Sequence, residues 1–156
     1  MQRDLLNDLK IAALAAIAST TDKTLAVDRK GYGTLAFLAN IGIEGITLSG
    51  TDKIALLLEH ADDNGSGAAG TYAAVAAADV VIPEQFASHA SIDATVASGV
   101  VATFDANAEL PAVLGFSYAG SKQWVRLTVD YSGTHGVATP VSAVAMLGTP
   151  QFAPVT

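Results

Sequence analysis

A glycine-rich loop at residues 62–70 contains the two patterns most typical of ligand binding. Residues 65–70 read GSGAAG, a literal GxGxxG. In a dinucleotide-binding fold this pattern directly follows a buried parallel strand and opens a helix. Here it follows Asp62, Asp63 and Asn64, whose carboxylates would lie where a pyrophosphate has to bind. The pattern therefore predicts a flexible hairpin loop rather than a nucleotide site.

The first half of this loop resembles the start of a calcium-binding loop. Residues 62–67 read DDNGSG, which matches the opening D-x-N-x-S-G. A calcium loop places a bidentate glutamate at its twelfth position. That position is Ala73 in this chain, so a calcium ion would require a distant carboxylate. A solvated turn is the alternative, and we predict no metal ligand and no cofactor site.

Hydrolytic chemistry is indicated only weakly. Residues 115–119 read GFSYA and narrowly miss the GxSxG of a nucleophile elbow, in a run typical of a strand rather than of a strand-to-helix turn. His60, His89 and His135 are scattered along the chain. Nothing marks a pair of catalytic carboxylates, because aromatic residues are 6% of the chain and Trp124 is its single tryptophan. We expect no enzymatic activity and no catalytic residue.

The composition excludes several further classes of protein. Cysteine is absent, which excludes disulfides, thiolate metal sites and a cysteine nucleophile. The net charge is −7, whereas nucleic-acid binding needs a basic patch. No apolar run approaches the roughly 18–20 residues of a membrane-spanning helix, and the start of the chain does not read as a secretory signal. We therefore expect neither a nucleic-acid partner nor a membrane partner.

Charged residues are unevenly distributed along the chain. Five of the eight basic residues fall within the first 30 positions. Between Lys53 and Lys122 every charged residue is acidic. One interpretation is a solvated acidic face that aids solubility. The other is an N-terminal segment that docks on a partner while the acidic middle faces solvent.

The elements that would position these residues are one helix followed by strands. Apolar residues in Asp4–Ala18 recur at spacings of three and four, which predicts an amphipathic helix. From Lys23 onward apolar and polar residues alternate, which predicts half-buried antiparallel strands. The predicted strands are Thr24–Val27, Thr34–Ile41, Ile46–Leu48, Lys53–Glu59, Val80–Ile82, Val100–Phe104, Val113–Tyr118, Gln123–Tyr131 and Val141–Leu147.

Turns rich in glycine and aspartate separate these strands, which favours a β-sandwich or barrel. We predict an all-β chain, a jelly-roll-like β-sandwich with a short N-terminal helical or extended arm. The arm is assigned to residues 1–22 and the sandwich to residues 23–156. The stretch Thr71–Ala77 is ambiguous between strand and helix.

Three segments of the sequence together resemble a known group of proteins. The first is residues 27–42 (VDRKGYGTLAFLANIG), and the second is residues 53–65 followed by 72–81 (KIALLLEHADDNG, YAAVAAADVV). The third is residues 115–135 (GFSYAGSKQWVRLTVDYSGTH), ending in residues 141–155 (VSAVAMLGTPQFAPV). In pattern and order they resemble small structural proteins encoded in the head-gene clusters of tailed bacteriophages. Such proteins are often capsid decoration, or cement, proteins.

The resemblance implies a specific role. It implies a β-sandwich on the outside of an assembled shell, commonly a homotrimer, in contact with the major capsid protein. It implies that the chain is made in the host cytoplasm and resides on the capsid surface of the virion. The family has no catalytic residues to transfer, and nothing is implied for Gln85–Val100, where the match is poorest.

Both terminal segments are candidate arms. We expect Asp4–Ala18, or the tail Gly148–Thr156 with its two prolines, to reach another subunit; the alternative is that both pack on their own domain. One alternative function is a phage tail tube or head–tail joining protein, which would self-assemble further. Another is a carbohydrate-binding β-sandwich module, which would need exposed aromatic residues or calcium at residues 62–67.

Overall fold

This computed structural model describes residues 9–150 of the chain, except for the side chains of residues 15–17. Strands make up most of the described part. One short helix, α1 (Glu84–Ala87), and 3-10 turns at Ala77–Asp79, Ala97–Gly99 and Asn107–Glu109 interrupt them. The strands are β1 (Lys10–Ser19), β2 (Lys23–Asp28), β3 (Tyr32–Ile41), β4 (Lys53–Ala61), β5 (Ala73–Ala74), β6 (Val80–Val81), β7 (Val100–Phe104), β8 (Ala112–Tyr118), β9 (Trp124–Ser132) and β10 (Thr139–Pro150).

These strands form two antiparallel sheets that pack face to face. Sheet A has the order β1-β10-β3-β8-β6. Sheet B has the order β2-β9-β4-β5, and β7 pairs with β4 beside β5. The two sheets enclose one hydrophobic core. The predicted all-β sandwich is therefore confirmed.

Strict alternation of apolar residues builds this core. On β3 the side chains of Leu35, Phe37 and the two apolar residues that follow at spacing two are buried, and β9 shows the same pattern from Val125 to Tyr131. The Phe37 ring lies 5.9 Å from the ring of Phe116 on the neighbouring strand. Because successive side chains point to opposite faces of a strand, the intervening residues must face outward.

The helix predicted over Asp4–Ala18 is wrong for Lys10–Ala18, which are extended in β1 and pair with β10. A β-bulge explains the misleading pattern. Leu14 pairs with Ala143 and Ile17 with Val141, so one extra residue lies on β1 between these pairs. The paired positions on β1 are therefore three residues apart at the bulge instead of two, and a spacing of three imitates a helix. Asp4–Asp8 lie outside the described residues, and the division at residue 22 stays a prediction.

Two shorter segments also differ from expectation. Ile46–Leu48 is not a strand, because the Asn107 side chain satisfies its backbone: Leu48 N–H donates to Asn107 Oδ1 (2.7 Å), and Asn107 Nδ2 donates to the Ile46 carbonyl (2.7 Å). The ambiguous stretch Thr71–Ala77 contains the two-residue β5 and runs into a 3-10 turn. In residues 9–150 no helix is long and apolar enough to cross a membrane.

Candidate interaction surface

The outer surface of sheet A carries no charged side chain at its described outward-facing strand positions. We name this surface face A. Its residues alternate with the buried residues of the same strands. They are Ile11, Ala13, Ala18, Thr34, Ala36, Leu38, Asn40, Val81, Val113, Gly115, Ser117, Pro140, Ser142, Val144, Met146 and Gly148. The Phe86 ring of α1 covers this surface at Gly115, which is buried.

The outer surface of sheet B is different. We name it face B, and its outward positions include Asp28, Lys53, Glu59, Arg126 and Asp130. The Arg126 guanidinium lies 2.6 Å from the Glu59 carboxylate and stacks 4.1 Å from the centre of a neighbouring tyrosine ring. Charged side chains are depleted from the buried centre of protein interfaces. The contrast therefore marks face A as the surface suited to contact another protein.

Exposed large apolar side chains cluster on and beside face A. Within residues 9–150 they are Ile11, Leu38, Val81 and Val113 on its strands, and Ile43 and Val137 in two loops at one end. Four full-length strands about 4.8 Å apart and about eight residues long cover roughly 500 Å². The largest apolar patch on a typical monomer is about 300–600 Å² and is often functional. The whole outer surface of sheet A, polar positions included, is therefore comparable in area with the largest apolar patch of a typical monomer.

A groove lies at the end of face A where β3 begins and β10 ends, which we name the upper end. It is a half-open depression of about 630 Å³. Small side chains create it. A Cβ on Gly148 would lie 2.9 Å from Thr34 Oγ1 and 3.3 Å from Leu9. The lining residues include Leu9, Gly33, Ala36, Ser117, Met146 and Gly148, none of them charged.

The opposite, lower end of face A carries an apolar projection. It consists of Ile43, 69% exposed, and Val137, 50% exposed, which we together name the tip. The two loops that carry these residues pack against each other, because a Cβ at Gly45 would overlap the Val137 side chain. Close backbone approach at this point therefore requires glycine.

A buried polar cluster lies directly beneath the tip. The Glu44 carboxylate accepts hydrogen bonds from the Thr139 hydroxyl and from the Gly45 backbone N–H (3.1 Å). His135 Nε2 donates to the backbone carbonyl of residue 132 (2.9 Å), so Nδ1 faces Glu44 at 3.6 Å. Burial, followed by the nearby carboxylates, raises the pKa of Tyr131 to about 12. Because a buried carboxylate that loses its hydrogen-bond partners is energetically costly, these contacts of Glu44 hold both loops in place.

The loop at residues 62–70 does not have the geometry that either ligand-binding pattern requires. It follows the antiparallel strand β4 and leads to β5 rather than to a helix. Asp63 Oδ1 accepts the backbone N–H of Gly65 (2.7 Å), which lowers the Asp63 pKa, and Asn64 Oδ1 accepts the N–H of Ser66 (2.9 Å). Asp62 binds Lys122 Nζ at 2.6 Å. The described residues contain no group of three or more metal-ligating side chains.

The candidate hydrolytic residues are not brought together either. Ser117 lies within β8 on face A, not at a strand-to-helix turn. His60 Nδ1 is hydrogen-bonded to Tyr118 Oη (2.9 Å), and the His89 ring packs against Phe104 at 6.1 Å. His135 lies in the cluster beneath the tip. Among the hydrogen bonds of residues 9–150, none joins a histidine to Ser117, so no nucleophile–base pair is formed.

Sequence reasoning missed the tip, although a signal was available. Glu44 is flanked by apolar residues and glycines in the stretch GIEGI, residues 42–46. A lone carboxylate in such surroundings indicates a buried, partnered group. The sequence also indicates an uncharged outer face for β3. Once the inward positions are assigned, the remaining positions include Ala36, Leu38 and Asn40, which carry no charge.

Neither a protein-family model nor a curated protein sequence matches the chain. A comparison with solved structures returns a chain from the structure described as "Bacillus endospore appendages form a novel family of disulfide-linked pili". That chain is 10% identical with a TM-score of 0.33, and the match covers 91% of this chain and 87% of that one. At this level of similarity the match assigns no function to the present chain.

Proposed function

We propose that the protein is a non-enzymatic structural subunit that binds other protein chains through face A. One observation carries this proposal: face A has exposed apolar side chains and no charge, whereas face B holds paired and solvated charges. Burying an unpaired charge in an interface costs several kcal/mol, on the order of 3–5. An uncharged surface avoids this cost when it is buried against a partner.

Following the sequence resemblance, we propose that this partner is the major capsid protein of a tailed bacteriophage. The chain would sit on the outside of the shell as a homotrimer and stabilise it, with face B and the acidic loops towards solvent. Several copies bound to one symmetric shell gain strength through effective concentration, so each contact can be individually weak. The proposed location is the capsid surface of the virion.

Co-sedimentation with undecorated shells of the phage that encodes the chain tests this proposal. We expect saturable binding at a fixed ratio to the major capsid protein. Absence of binding to shells that accept their native decoration protein would contradict the proposal. Electron microscopy of the purified chain then tests the tail alternative, since a tube protein would form rings or long polymers.

A further inference from the structure

The hairpin loop at residues 62–70 contains a reactive pair of neighbouring residues. Asparagine is followed directly by glycine once in the sequence, at Asn64 and Gly65. The backbone nitrogen that follows an asparagine can attack its side-chain amide carbon, because the attack closes a five-membered ring. A side chain on the following residue obstructs this attack, whereas glycine has none. Both residues are exposed, and a Cβ on Gly65 would have no neighbour within 4 Å, so the nitrogen is open to attack.

The Asn64 side chain is held over the backbone that follows it. Its Oδ1 accepts the backbone N–H of Ser66 at 2.9 Å and the Ser66 hydroxyl at 2.7 Å. Because this turn closes over the intervening Gly65, it keeps the side-chain carbon Cγ close to the Gly65 nitrogen. Negative charge develops on Oδ1 when the nitrogen attacks Cγ. Both donors of Ser66 therefore stabilise the attacked state more than the starting amide.

The Asp63 carboxylate is placed to accept the proton that the attacking nitrogen must lose. Asp63 Oδ1 accepts the Gly65 N–H at 2.7 Å. A general base must lie within hydrogen-bond distance of the proton that it removes, and this distance meets that requirement. The same hydrogen bond from Gly65 holds the pKa of the Asp63 carboxyl below its usual range, so the carboxylate is ionised near neutral pH.

We propose that Asn64 is a self-modification site, at which this loop converts asparagine into an acidic residue through a cyclic succinimide. The Gly65 nitrogen bonds to Asn64 Cγ, and the Asp63 carboxylate takes its proton. The Cγ–Nδ2 bond breaks, and the side-chain nitrogen leaves as ammonia with that proton. Water then opens the ring. Opening at Cγ gives aspartate at position 64, and opening at the backbone carbonyl carbon gives isoaspartate.

Two other asparagines in the described residues provide references within the same molecule. Asn40 lies inside strand β3 and is followed by a branched residue. Asn107 Oδ1 accepts the Leu48 N–H and its Nδ2 donates to the Ile46 carbonyl, both at 2.7 Å, which holds its side chain away from its own following nitrogen. The reaction should therefore occur at Asn64 and spare these two positions.

The modification would change both the charge and the backbone of the loop. Either product adds one negative charge, and isoaspartate also adds one carbon to the backbone path. The hairpin is closed by hydrogen bonds from Asn64 N–H to the Ala68 carbonyl (2.9 Å) and from Gly70 N–H to the Asp62 carbonyl (2.8 Å). The loop joins β4 and β5 of sheet B, so the inference does not depend on face A. A failure of the shell experiment leaves it standing.

Peptide mass spectrometry of the full-length chain, incubated at mildly alkaline pH, tests the proposal. We expect the peptide that contains Asn64 to gain the mass of an amide-to-acid conversion, with isoaspartate confirmed by labelling with an isoaspartyl methyltransferase. The peptides that contain Asn40 and Asn107 should stay unchanged over the same time. An unmodified Asn64, or equal conversion at all three asparagines, would overturn the proposal.

Two glycine substitutions in the same loop test the attacking nitrogen. Gly65 has φ +86° and Gly67 has φ +81°, and neither has a neighbour within 4 Å of an added Cβ. Alanine is therefore equally strained at the two positions, but only Gly65→Ala obstructs the nitrogen that attacks. Gly65→Ala should slow the conversion by more than about tenfold. The matched control Gly67→Ala should react at close to the wild-type rate, and equal rates in the two variants would overturn the assignment of the nucleophile.

Substitutions of the two supporting side chains distinguish assistance by the folded loop from a reaction set by the sequence alone. Ser66→Ala removes one hydrogen bond to Asn64 Oδ1 and should slow the conversion by about 2- to 10-fold in the folded chain. In urea the wild-type chain and Ser66→Ala should react at equal rates, because this hydrogen bond exists only in the folded loop. Asp63→Asn, which keeps an acceptor oxygen but is not a base, should also slow the folded chain. Unchanged rates in both folded variants would overturn the role of the loop.

Discussion

Leu35 and Leu38 allow folding and binding to be separated on a single strand. Both are leucines of β3, three residues apart, and they face opposite sides of sheet A. Leu35 is 1% exposed in the core, and Leu38 is 37% exposed on face A. The same substitution, leucine to alanine, should therefore have different consequences at the two positions.

The two costs follow from burial. Leu35→Ala removes fully buried carbons and leaves a cavity, which should lower the free energy of unfolding by about 2.7–5 kcal/mol. For a chain of this length that corresponds to a fall in melting temperature of roughly 5–20 °C. Leu38→Ala opens towards solvent and leaves no cavity, so only the transfer term of its partly buried carbons is lost, about 1 kcal/mol or less.

Urea unfolding at one low protein concentration measures both costs, since self-association would otherwise stabilise the native state. Binding to shells should show the reverse order, with Leu38→Ala weakening binding and the folded fraction of Leu35→Ala still binding. Equal destabilisation by the two variants would refute the assignment of Leu38 to the outer face. Unchanged shell binding by Leu38→Ala would refute its place in the interface.

Three further predictions test other parts of the structure. Because burial raises the pKa of Tyr131 from 10.0 to about 12, the folded chain keeps this proton between pH 10 and pH 12 while the unfolded chain loses it. The contribution of Tyr131 to stability is thus complete below pH 10 and falls as the pH rises towards 12. Urea unfolding across this range should show a lower free energy of unfolding at higher pH. In Tyr131→Phe this part of the pH dependence should be absent. Gly99→Ala should lower the free energy of unfolding by about 1–3 kcal/mol in the same assay, because Gly99 has φ +80° and an added Cβ would lie 2.5 Å from a backbone carbonyl oxygen of β4. The control Gly50→Ala has open space around it and should change this free energy by no more than about 0.5 kcal/mol. Equal costs for the two variants would contradict this reasoning. Calcium should leave the melting temperature unchanged, because the side-chain oxygens of Asp63 and Asn64 already accept backbone hydrogen bonds; a rise with calcium would support the calcium-dependent carbohydrate module instead.

Much of the fold is predictable from the sequence because alternation reports burial directly. In β3 and β9 each inward position is apolar, and the structure buries those same positions, from Leu35 to Ile41 and from Val125 to Tyr131. The pattern fails where another interaction intervenes. The bulge in β1 turns a spacing of two into three, and the side chain of Asn107 replaces the strand expected at Ile46–Leu48.

The candidate interaction surface was not predicted, because it depends on which strands become neighbours. β1, β10, β3 and β8 are distant in sequence, and their outward residues form one surface only through the sheet order. The tip likewise combines Ile43 and Val137 from separate loops. Period-two patterning assigns a side chain to a face of its own strand, but it does not determine the neighbouring strand.

The most direct test of the central claim compares three chains in quantitative co-sedimentation with undecorated phage shells. The wild-type chain and Thr24→Glu, which places a carboxylate on face B, should bind saturably and at the same fixed ratio to the major capsid protein. Leu38→Glu should lose binding while remaining folded, because it places an unpaired charge at the centre of face A. Two results would contradict the assignment of face A as the surface that meets the shell. One is full binding by Leu38→Glu, and the other is loss of binding by Thr24→Glu while Leu38→Glu still binds.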